Sequence, residues 1–293
     1  MENPYSLARD ILLSALSADR FTSIDLYGAS VHEKGMEDGY CSRYHLENGS
    51  GTGDITLYQV FLGMELIYND MHMAYCNKQQ RPTPNVMEIN YRQEGRSECL
   101  FGESQYCYMS AGDLSFCSLH DNAHQSEFLT AHYHGITVTI DFSAITEEMK
   151  KVLELLAVDL ERIRALSQAR DFTIIRVNPT IEHIFSELYK VPANIRYGYI
   201  RVKILELLLV LTELNPTEDT GEHSYFSAAQ IAAIKRVQAF LVEHFNEHYT
   251  IDELSERFDL SPTVMKKMLS GCIRGFSICV YETISPADGR TTP

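Results

Sequence analysis

Four side chains near the carboxyl-terminal end of the sequence are of types that contact DNA. Thr263, Lys266 and Lys267 fall in the stretch SPTVMKKM, and Arg257 lies just upstream in DELSERF. Lysine and arginine neutralise phosphate charge, and a threonine hydroxyl can reach a base edge. We therefore expect Thr263 and the two lysines to face a DNA groove, with Arg257 as a weaker contact to the DNA backbone.

Two short helices joined by a tight turn would position these side chains. Thr250 and Glu253 have the spacing of a capping box at the start of one helix, and Ser261 followed by Pro262 is a typical start for the next. In a helix-turn-helix the second helix lies in the major groove, with its first residues nearest the bases. An ordinary helical hairpin with solvated lysines is the alternative interpretation.

The charge of the chain limits where nucleic acid could bind. The formal net charge is −15 over 293 residues, and the residues from 227 onward hold seven Lys or Arg against eight Asp or Glu. That region carries −1, so −14 lies in the first 226 residues and repels phosphates. Contact with nucleic acid must be confined to a local basic surface near the carboxyl terminus.

The first half of the sequence is rich in strand signals. Residues 22–142 contain short alternating runs, such as AHYHGITVTIDF, with turns expected at Glu94–Gly95 and at Ala111–Asp113. Many short strands separated by turns are typical of a β-sandwich or small barrel. The N-terminal stretch before them, MENPYSLARDILLSALSADR, is predicted to form an amphipathic helix rather than a signal peptide.

Helical spacing begins near Ser143. One helix is expected from Thr146 through TEEMKKVLELLAVDLERIRALSQAR, a second from Asn178–Pro179, and a third over ANIRYGYIRVKILELLLVLTELN. The polar stretch NPTEDTGEHSY then indicates a linker. The predicted fold class is α+β, and the expected domains are a β-rich region at 1–142, a helical segment at 143–214, a linker at 215–226 and a helical domain at 227–293.

Histidines in the β-rich region form a candidate metal site. His132 and His134 flank Tyr133 on a predicted strand and point to one face, and with His120 and His124 nearby they resemble the ligand pair of metal-binding cupins. A cupin-type metal enzyme is therefore one alternative function. No Glu or later His follows at suitable spacing, so we predict no metal site.

The cluster Glu94, Arg96 and Glu98 could form the rim of a ligand pocket, although solvated hairpin residues are the favoured interpretation. No GxSxG, Walker-type loop, GxGxxG or Cys/His zinc spacing is present, so we predict no enzyme and no cofactor. Seven cysteines without a CxxC pair fit reduced cytoplasmic thiols, and no apolar run reaches the roughly 18 residues of a membrane span. We expect a cytoplasmic protein with no membrane partner.

The stretch SAAQIAAIKRVQAFLVEHFNEHYTIDELSERFDLSPTVMKKML resembles the first half of an AraC-type DNA-binding domain. NYRQEGRSEC and MSAGDLSF are similar to the β-rich, cupin-like sensor of AraC-type regulators, particularly the pyochelin-regulator-like branch, and LELLLVL to the helix before its linker. The resemblance implies a transcriptional regulator with a small-molecule effector, for example a siderophore-like compound, and a helical dimerisation segment. It also implies a homodimer, with double-stranded DNA as partner. The residues on matching positions of the family pattern hxTIxELAxxFxLSxxxLKxxF are Thr250, Ile251, Glu253, Leu254, Phe258, Leu260, Ser261, Met265 and Lys266.

The sequence departs from the family pattern after the first helix-turn-helix. Leu269 stands where the family has Phe, Gly275 falls one residue late, and beyond Tyr281 the polar ETISPADGRTTP replaces a second helix-turn-helix. This predicts a carboxyl-terminally truncated regulator, as a frameshift or an early stop would produce. Specific DNA binding should be weak or absent, because affinity follows the number of phosphate contacts. A sensor and dimerisation module that does not bind DNA is the second alternative.

Overall fold

The computed structural model describes residues 22–37, 40–78, 83, 85–101, 105–119, 125–169, 172–176, 178–214, 226–244, 247 and 249–266. The strands are β1 (Val31–Glu37), β2 (Cys41–Asn48), β3 (Gly51–Phe61), β4 (Met64–His72), β5 (Tyr75–Asn77), β6 (Val86–Phe101), β7 (Gln105–Met109), β8 (Leu114–Ser118), β9 (Gln125–Asp141), β10 (Thr173–Ile175) and β11 (Phe226–Ser227). The α-helices are α1 (Glu147–Leu155), α2 (Leu160–Gln168), α3 (Pro179–Tyr189), α4 (Arg196–Glu213), α5 (Ala228–Glu243) and α6 (Ile251–Phe258). Short 3-10 helices cover Ser23–Ser30 and Ala193–Ile195.

These elements form two compact units. The larger unit contains residues 22–101 and 109–214, and the smaller contains residues 105–108 and 226–266. In the larger unit an antiparallel sheet runs in the order β1-β2-β3-β4-β9-β6, with β5 on β9, β8 on β6 and β10 on β8. The predicted α+β class with a β-rich first half is confirmed. No helix among the described residues is long and apolar enough to cross a membrane.

One face of this sheet is apolar and packs with the helices. Leu66 of β4, Ile89 of β6 and Val138 of β9 are fully buried there and belong to one core with Phe185 of α3. The Phe185 ring stacks on Tyr91 of β6 at a centroid distance of 4.3 Å. Fully burying a side chain of this size contributes roughly 1.5–3 kcal/mol, so this face accounts for much of the stability of the larger unit.

Strand β6 is continuous where the sequence predicts a turn. It passes through Glu94–Gly95 without reversing, so the prediction of a turn there is wrong. Gly95 has φ +83° and sits in a β-bulge where the pairing with β9 shifts register before Ser97. A Cβ at Gly95 would lie 2.2 Å from the backbone oxygen of His132, so the glycine marks a bulge and a close backbone approach rather than a hairpin. The turn expected at Ala111–Asp113 is present.

The helix expected from Thr146 is divided in two. Thr146 caps α1 as predicted, but Ala157 takes a left-handed conformation at φ +60° and interrupts the helix. Asp159 then starts α2 by accepting a hydrogen bond from the backbone N–H of Arg162 at 2.9 Å. The expectation of one continuous helix is therefore wrong, because an internal capping residue competes with the apolar periodicity.

The other helical predictions hold within the described residues. Asn178 caps α3 with Pro179 in its first turn, and α4 covers most of the third predicted helix. The predicted N-terminal amphipathic helix, nearly all of the linker at 215–226 and the carboxyl-terminal residues 267–293 lie outside the described residues.

We predict that Gly135→Ala destabilises the larger unit by about 1–3 kcal/mol, as overpacking does. An added Cβ would lie 2.6 Å from the backbone oxygen of Tyr91, which cannot move without distorting β6. Gly198→Ala is the matched control, because an added Cβ on this residue of α4 meets nothing within 4 Å. In a helix that change should stabilise by about 0.5–1 kcal/mol.

Urea unfolding followed by circular dichroism suits a chain without tryptophan. Equal midpoints for the two variants would contradict the packing described.

Candidate functional site

The second face of the sheet is buried but carries polar side chains. On β6, Glu88 and Arg92 are only 5% and 4% exposed, and Asn90 lies between them. Strand alternation places these three on the face opposite Ile89 and Tyr91. Alternation of apolar and polar residues usually marks a face in contact with water. Here the polar face is enclosed, and that is where the candidate ligand site lies.

A cavity of about 60 Å³ lies against this polar face. Its lining includes Asn69 of β4, Lys78, Arg92 of β6, Tyr133 of β9 and Phe172. A water molecule takes about 30 Å³ in the liquid, so the space holds about two waters or a small ion. It is well below the roughly 300–1,000 Å³ of sites for drug-sized ligands. The cavity therefore suits a small molecule or the end group of a larger one.

The glycine at position 135 leaves room for the Tyr133 ring beneath Arg92. Gly135 stands opposite Asn69 on β4 and opposite Arg92 on β6. The Tyr133 phenol occupies the room that a side chain would take, because a Cβ at Gly135 would lie 2.6 Å from the Tyr133 hydroxyl. The Arg92 guanidinium lies over the Tyr133 ring, with its Cζ 4.4 Å from the ring centroid. The missing side chain thus lets Tyr133 fold under the cation.

Arg92 is a buried cation with incomplete hydrogen bonding. Its Nη2 donates to the Ser97 hydroxyl, but Nε and Nη1 have no acceptor within the part of the chain that the structure describes. Burial lowers the pKa of Arg92, which starts so high that the side chain remains charged at neutral pH. Leaving a buried donor unpaired costs about 1–3 kcal/mol, and more when it is charged. Such donors call for an acceptor from water or from a ligand.

The other two charges of the cavity compensate each other. Lys78 donates from Nζ to Oε1 of Glu88. Burial is the largest single effect and lowers the pKa of Lys78, but the charge and hydrogen bond of Glu88, with the nearby Tyr27 and Cys76, together raise it above its ordinary value. Burial raises the pKa of Cys76 to about 11 and also raises that of Tyr133, so both are neutral at pH 7. With Arg92 uncompensated, the lining carries one net positive charge.

A chain of hydrogen bonds crosses the cavity wall. Asn69 donates from Nδ2 to the Thr137 hydroxyl at 2.9 Å, and that hydroxyl donates to Oδ1 of Asn90 at 2.7 Å. Oδ1 of Asn69 has no donor among the described residues. The wall therefore offers a fixed acceptor as well as the unpaired donors of Arg92. A ligand that carries both an acidic group and a hydroxyl matches this arrangement.

The smaller unit contains the residues predicted to contact DNA. Helix α6 begins with the predicted capping box: Thr250 Oγ1 accepts from the Glu253 N–H at 3.2 Å, and the Thr250 N–H donates to Glu253 Oε2 at 2.7 Å. The helix ends at Phe258, and the next residue, Asp259, takes a left-handed conformation at φ +54°. Residues 262–266 are helical again, with Ser261 accepting from the N–H of Val264 at 3.3 Å.

Two of the four predicted contact residues lie on an exposed side of segment 262–266. Thr263 and Lys266 are exposed and three residues apart, whereas Met265 is fully buried. Arg257 is also exposed, but its guanidinium lies over the Phe240 ring of α5 at 4.1 Å. Lys267 lies outside the described residues. The DNA contacts themselves stay a prediction.

The histidines and acids singled out in the sequence separate in the structure. His134 packs edge-on against Tyr189 at 5.0 Å, whereas His132 lies beside His72 and within 3.2 Å of Glu94. His132 and His134 therefore have different neighbours in the structure, and His120 and His124 lie outside the described residues. Glu94 is exposed as expected. Glu98 is 1% exposed, so the interpretation of this residue as solvated is wrong, and the Arg96 side chain is not described.

Sequence reasoning missed Arg92, Lys78, Glu88 and His72. Arg92 and Glu88 are polar positions of the stretch MEINYR. Their alternation with apolar residues predicts a strand face that is exposed to water. Only their burial in the folded chain shows that they are enclosed. Gly135 carries the one local signal, because a glycine within a strand indicates a close approach.

No protein-family model matches the chain, and no curated protein matches it. Among solved structures, the AraC-like transcriptional activator CuxR overlaps with 12% identity over 84% of this chain and 82% of its own, at a TM-score of 0.38. ToxT from Vibrio cholerae with a bound unsaturated fatty acid overlaps with 10% identity over 71% and 73%, at a TM-score of 0.36. A cupin 2 conserved barrel protein from Rhodopseudomonas palustris has 17% identity over 46% and 87%, at 0.27. Overlaps this low assign the chain to no family.

Proposed function

We propose that this protein is a DNA-binding transcriptional regulator whose larger unit binds a small acidic effector. The observation that carries the DNA-binding part is the segment 262–266, which buries Met265 and exposes Thr263 and Lys266 after a tight turn from α6. That arrangement agrees with the resemblance of the stretch from Ser227 to Leu269 to an AraC-type domain. We propose that Thr263, at the start of the segment, contacts a base edge and that Lys266 contacts a phosphate.

The support for this segment comes from an aromatic centre on α5. Phe240 contacts the Phe258 ring at 5.6 Å, the Tyr249 ring at 4.9 Å and the Arg257 guanidinium at 4.1 Å. These contacts fix both ends of α6, and the segment follows directly from it. Arg257 therefore has a structural role on Phe240, and we propose it as a weaker contact to the DNA backbone. Lys267 stays with Thr263 and Lys266 among the proposed main DNA contacts.

The effector part of the proposal depends on Arg92. A buried cation with unpaired donors at Nε and Nη1, in a lining of net charge +1, favours an anionic oxygen group. The acceptor at Asn69 Oδ1 favours a ligand that also donates a hydrogen bond. The volume of about 60 Å³ limits the enclosed part to a small carboxylic acid or the acidic end of a longer one.

We also propose that residues 143–214 form the dimerisation segment. Every large apolar side chain found exposed among the described residues lies there. Val202 and Leu209 of α4 are 60% and 38% exposed and seven residues apart, so they share one face of the helix. Exposed apolar side chains aligned in this way are typical of a protein–protein interface, and a second copy of the chain supplies the same face.

The DNA part is tested by titrating a random-sequence duplex across salt concentrations. Each phosphate contact contributes about −0.9 to the slope of log K against log salt. Lys266→Gln should flatten the slope by about that amount. Lys150→Gln, on an exposed lysine of α1 already paired with Glu147, should leave it unchanged. No binding at low salt, or equal slopes for the wild type and Lys266→Gln, would contradict the assignment.

The effector part is tested by thermal unfolding with formate, acetate, lactate and benzoate against chloride at constant ionic strength. A bound acid at about 100 times its Kd adds about 2.7 kcal/mol of stability. We expect at least one acid to raise the Tm of the wild type and of Arg162→Met, which removes an exposed arginine of α2. Arg92→Met should abolish that rise. If two water molecules simply fill the cavity, no acid will shift the wild type relative to chloride.

The dimer is tested by light scattering during gel filtration. We expect a mass of about twice 33.4 kDa for the wild type and 33.4 kDa for the double variant Val202→Asp, Leu209→Asp, because two carboxylates would enter an apolar contact. Ala165→Asp adds a charge at an exposed position of α2 and should remain dimeric. A monomeric wild type, or a double variant that stays dimeric, would refute this interface.

A further inference from the structure

We infer that one end of the sheet binds a divalent transition-metal ion between Asp70 and His72 of β4 and His132 of β9. One ligand atom from each of these three side chains lies within 4.8 Å of the others. This site is separate from the cavity beside Arg92, and it does not depend on the proposed function.

The strand geometry brings the three side chains together. Asp70 and His72 are two residues apart on β4, so they share a face. His134 of β9 stands opposite Asp70, and the antiparallel register carries His132 toward His72. The two imidazole rings lie 5.1 Å apart at an interplanar angle of 36°. Two imidazoles and a carboxylate therefore converge on adjacent strands.

The bulge in β6 and β9 fixes the position of His132. Ala131 has φ +51° and Gly95 has φ +83°, and the backbone oxygen of His132 approaches Gly95 too closely for any side chain there. Bulges of this kind re-aim a side chain and are frequent beside functional sites. The backbone therefore fixes the position from which the half-buried His132 side chain projects.

Each imidazole has a carboxylate beside it. Nε2 of His72 lies 3.1 Å from Oδ1 of Asp70, and Nε2 of His132 lies 3.2 Å from Oε2 of Glu94. Glu94 is placed either to complete the ligand set or to orient His132 from outside it. A mixed set of imidazole nitrogens and carboxylate oxygens suits zinc, cobalt, nickel or copper, whereas calcium and magnesium take oxygen ligands.

Only a small movement is needed for binding. Zinc–nitrogen bonds are about 2.0–2.1 Å, so two ligand atoms on one ion are at most about 4 Å apart. The side chains of Asp70 and His72 are 53% and 63% exposed and can rotate inward to that distance. The backbones of these residues belong to paired strands and stay in place, so binding requires rotation of side-chain torsions only.

A neighbouring pair provides the matched control. His45 lies 2.9 Å from Oδ1 of Asp54, which resembles half of the proposed site. Lys34 Nζ also donates to that oxygen at 2.5 Å, so a cation already occupies the carboxylate. The group of three ligands includes neither residue. His45→Ala should therefore leave metal binding unchanged.

The test is a cobalt(II) titration of the full chain without a histidine tag, followed by visible absorption and by calorimetry. We expect one equivalent of cobalt to bind, and His72→Ala and His132→Ala each to weaken binding at least tenfold. His45→Ala should bind as the wild type does. Circular dichroism of all variants checks that they fold, and His132→Gln provides a second change at the same position.

The spectrum also separates this site from the seven cysteines of the chain. Thiolate ligands to cobalt(II) give an intense charge-transfer band in the near ultraviolet, and nitrogen and oxygen ligands do not. The inference is overturned if cobalt binds no more tightly than millimolar, if the thiolate band dominates, or if folded His72→Ala and His132→Ala proteins bind as tightly as the wild type.

Discussion

Arg92 is a positive charge that the sheet encloses without supplying its full set of acceptors. The Tyr133 ring beneath it and the Ser97 hydroxyl at Nη2 hold it in place. Gly135 leaves the room that the Tyr133 ring takes. The Lys78–Glu88 pair cancels its own charge nearby, so the guanidinium gives the cavity its positive sign. If stability alone determined the residue at this position, an apolar side chain would be favoured there. The proposed effector role therefore depends on this one group.

Local signals in the sequence were sufficient for most of the secondary structure. Caps at Thr146, Asn178 and Thr250 fix helix starts because each side chain binds a backbone N–H within its own turn. The failure at Glu94–Gly95 occurred because distant residues decide the conformation there. Gly95 has the appearance of a turn residue, and it becomes a bulge only because the His132 backbone crosses it in the folded sheet.

The candidate sites differ in the same way, because some follow from local sequence and others from contacts between distant residues. Exposure of Thr263 and Lys266 follows from helical spacing around Met265, so the sequence could predict it. The enclosure of Arg92 could not be predicted from the sequence. A strand shows the same alternation of polar and apolar residues whether its polar face is exposed to water or covered by other parts of the protein. The approach of His72 to His132 depends on pairing between β4 and β9, which are far apart in the chain. Pairs of this kind have no local signature.

The central claim is that an acid held by Arg92 in the larger unit changes how the smaller unit binds DNA. Such a coupling is a difference in DNA-binding free energy with and without the acid. The direct measurement is the DNA affinity of the wild type and of Arg92→Met at one salt concentration, with and without a saturating amount of the acid that raises the Tm. We expect a changed affinity for the wild type and an unchanged affinity for Arg92→Met. Equal wild-type affinities with and without the acid would contradict it.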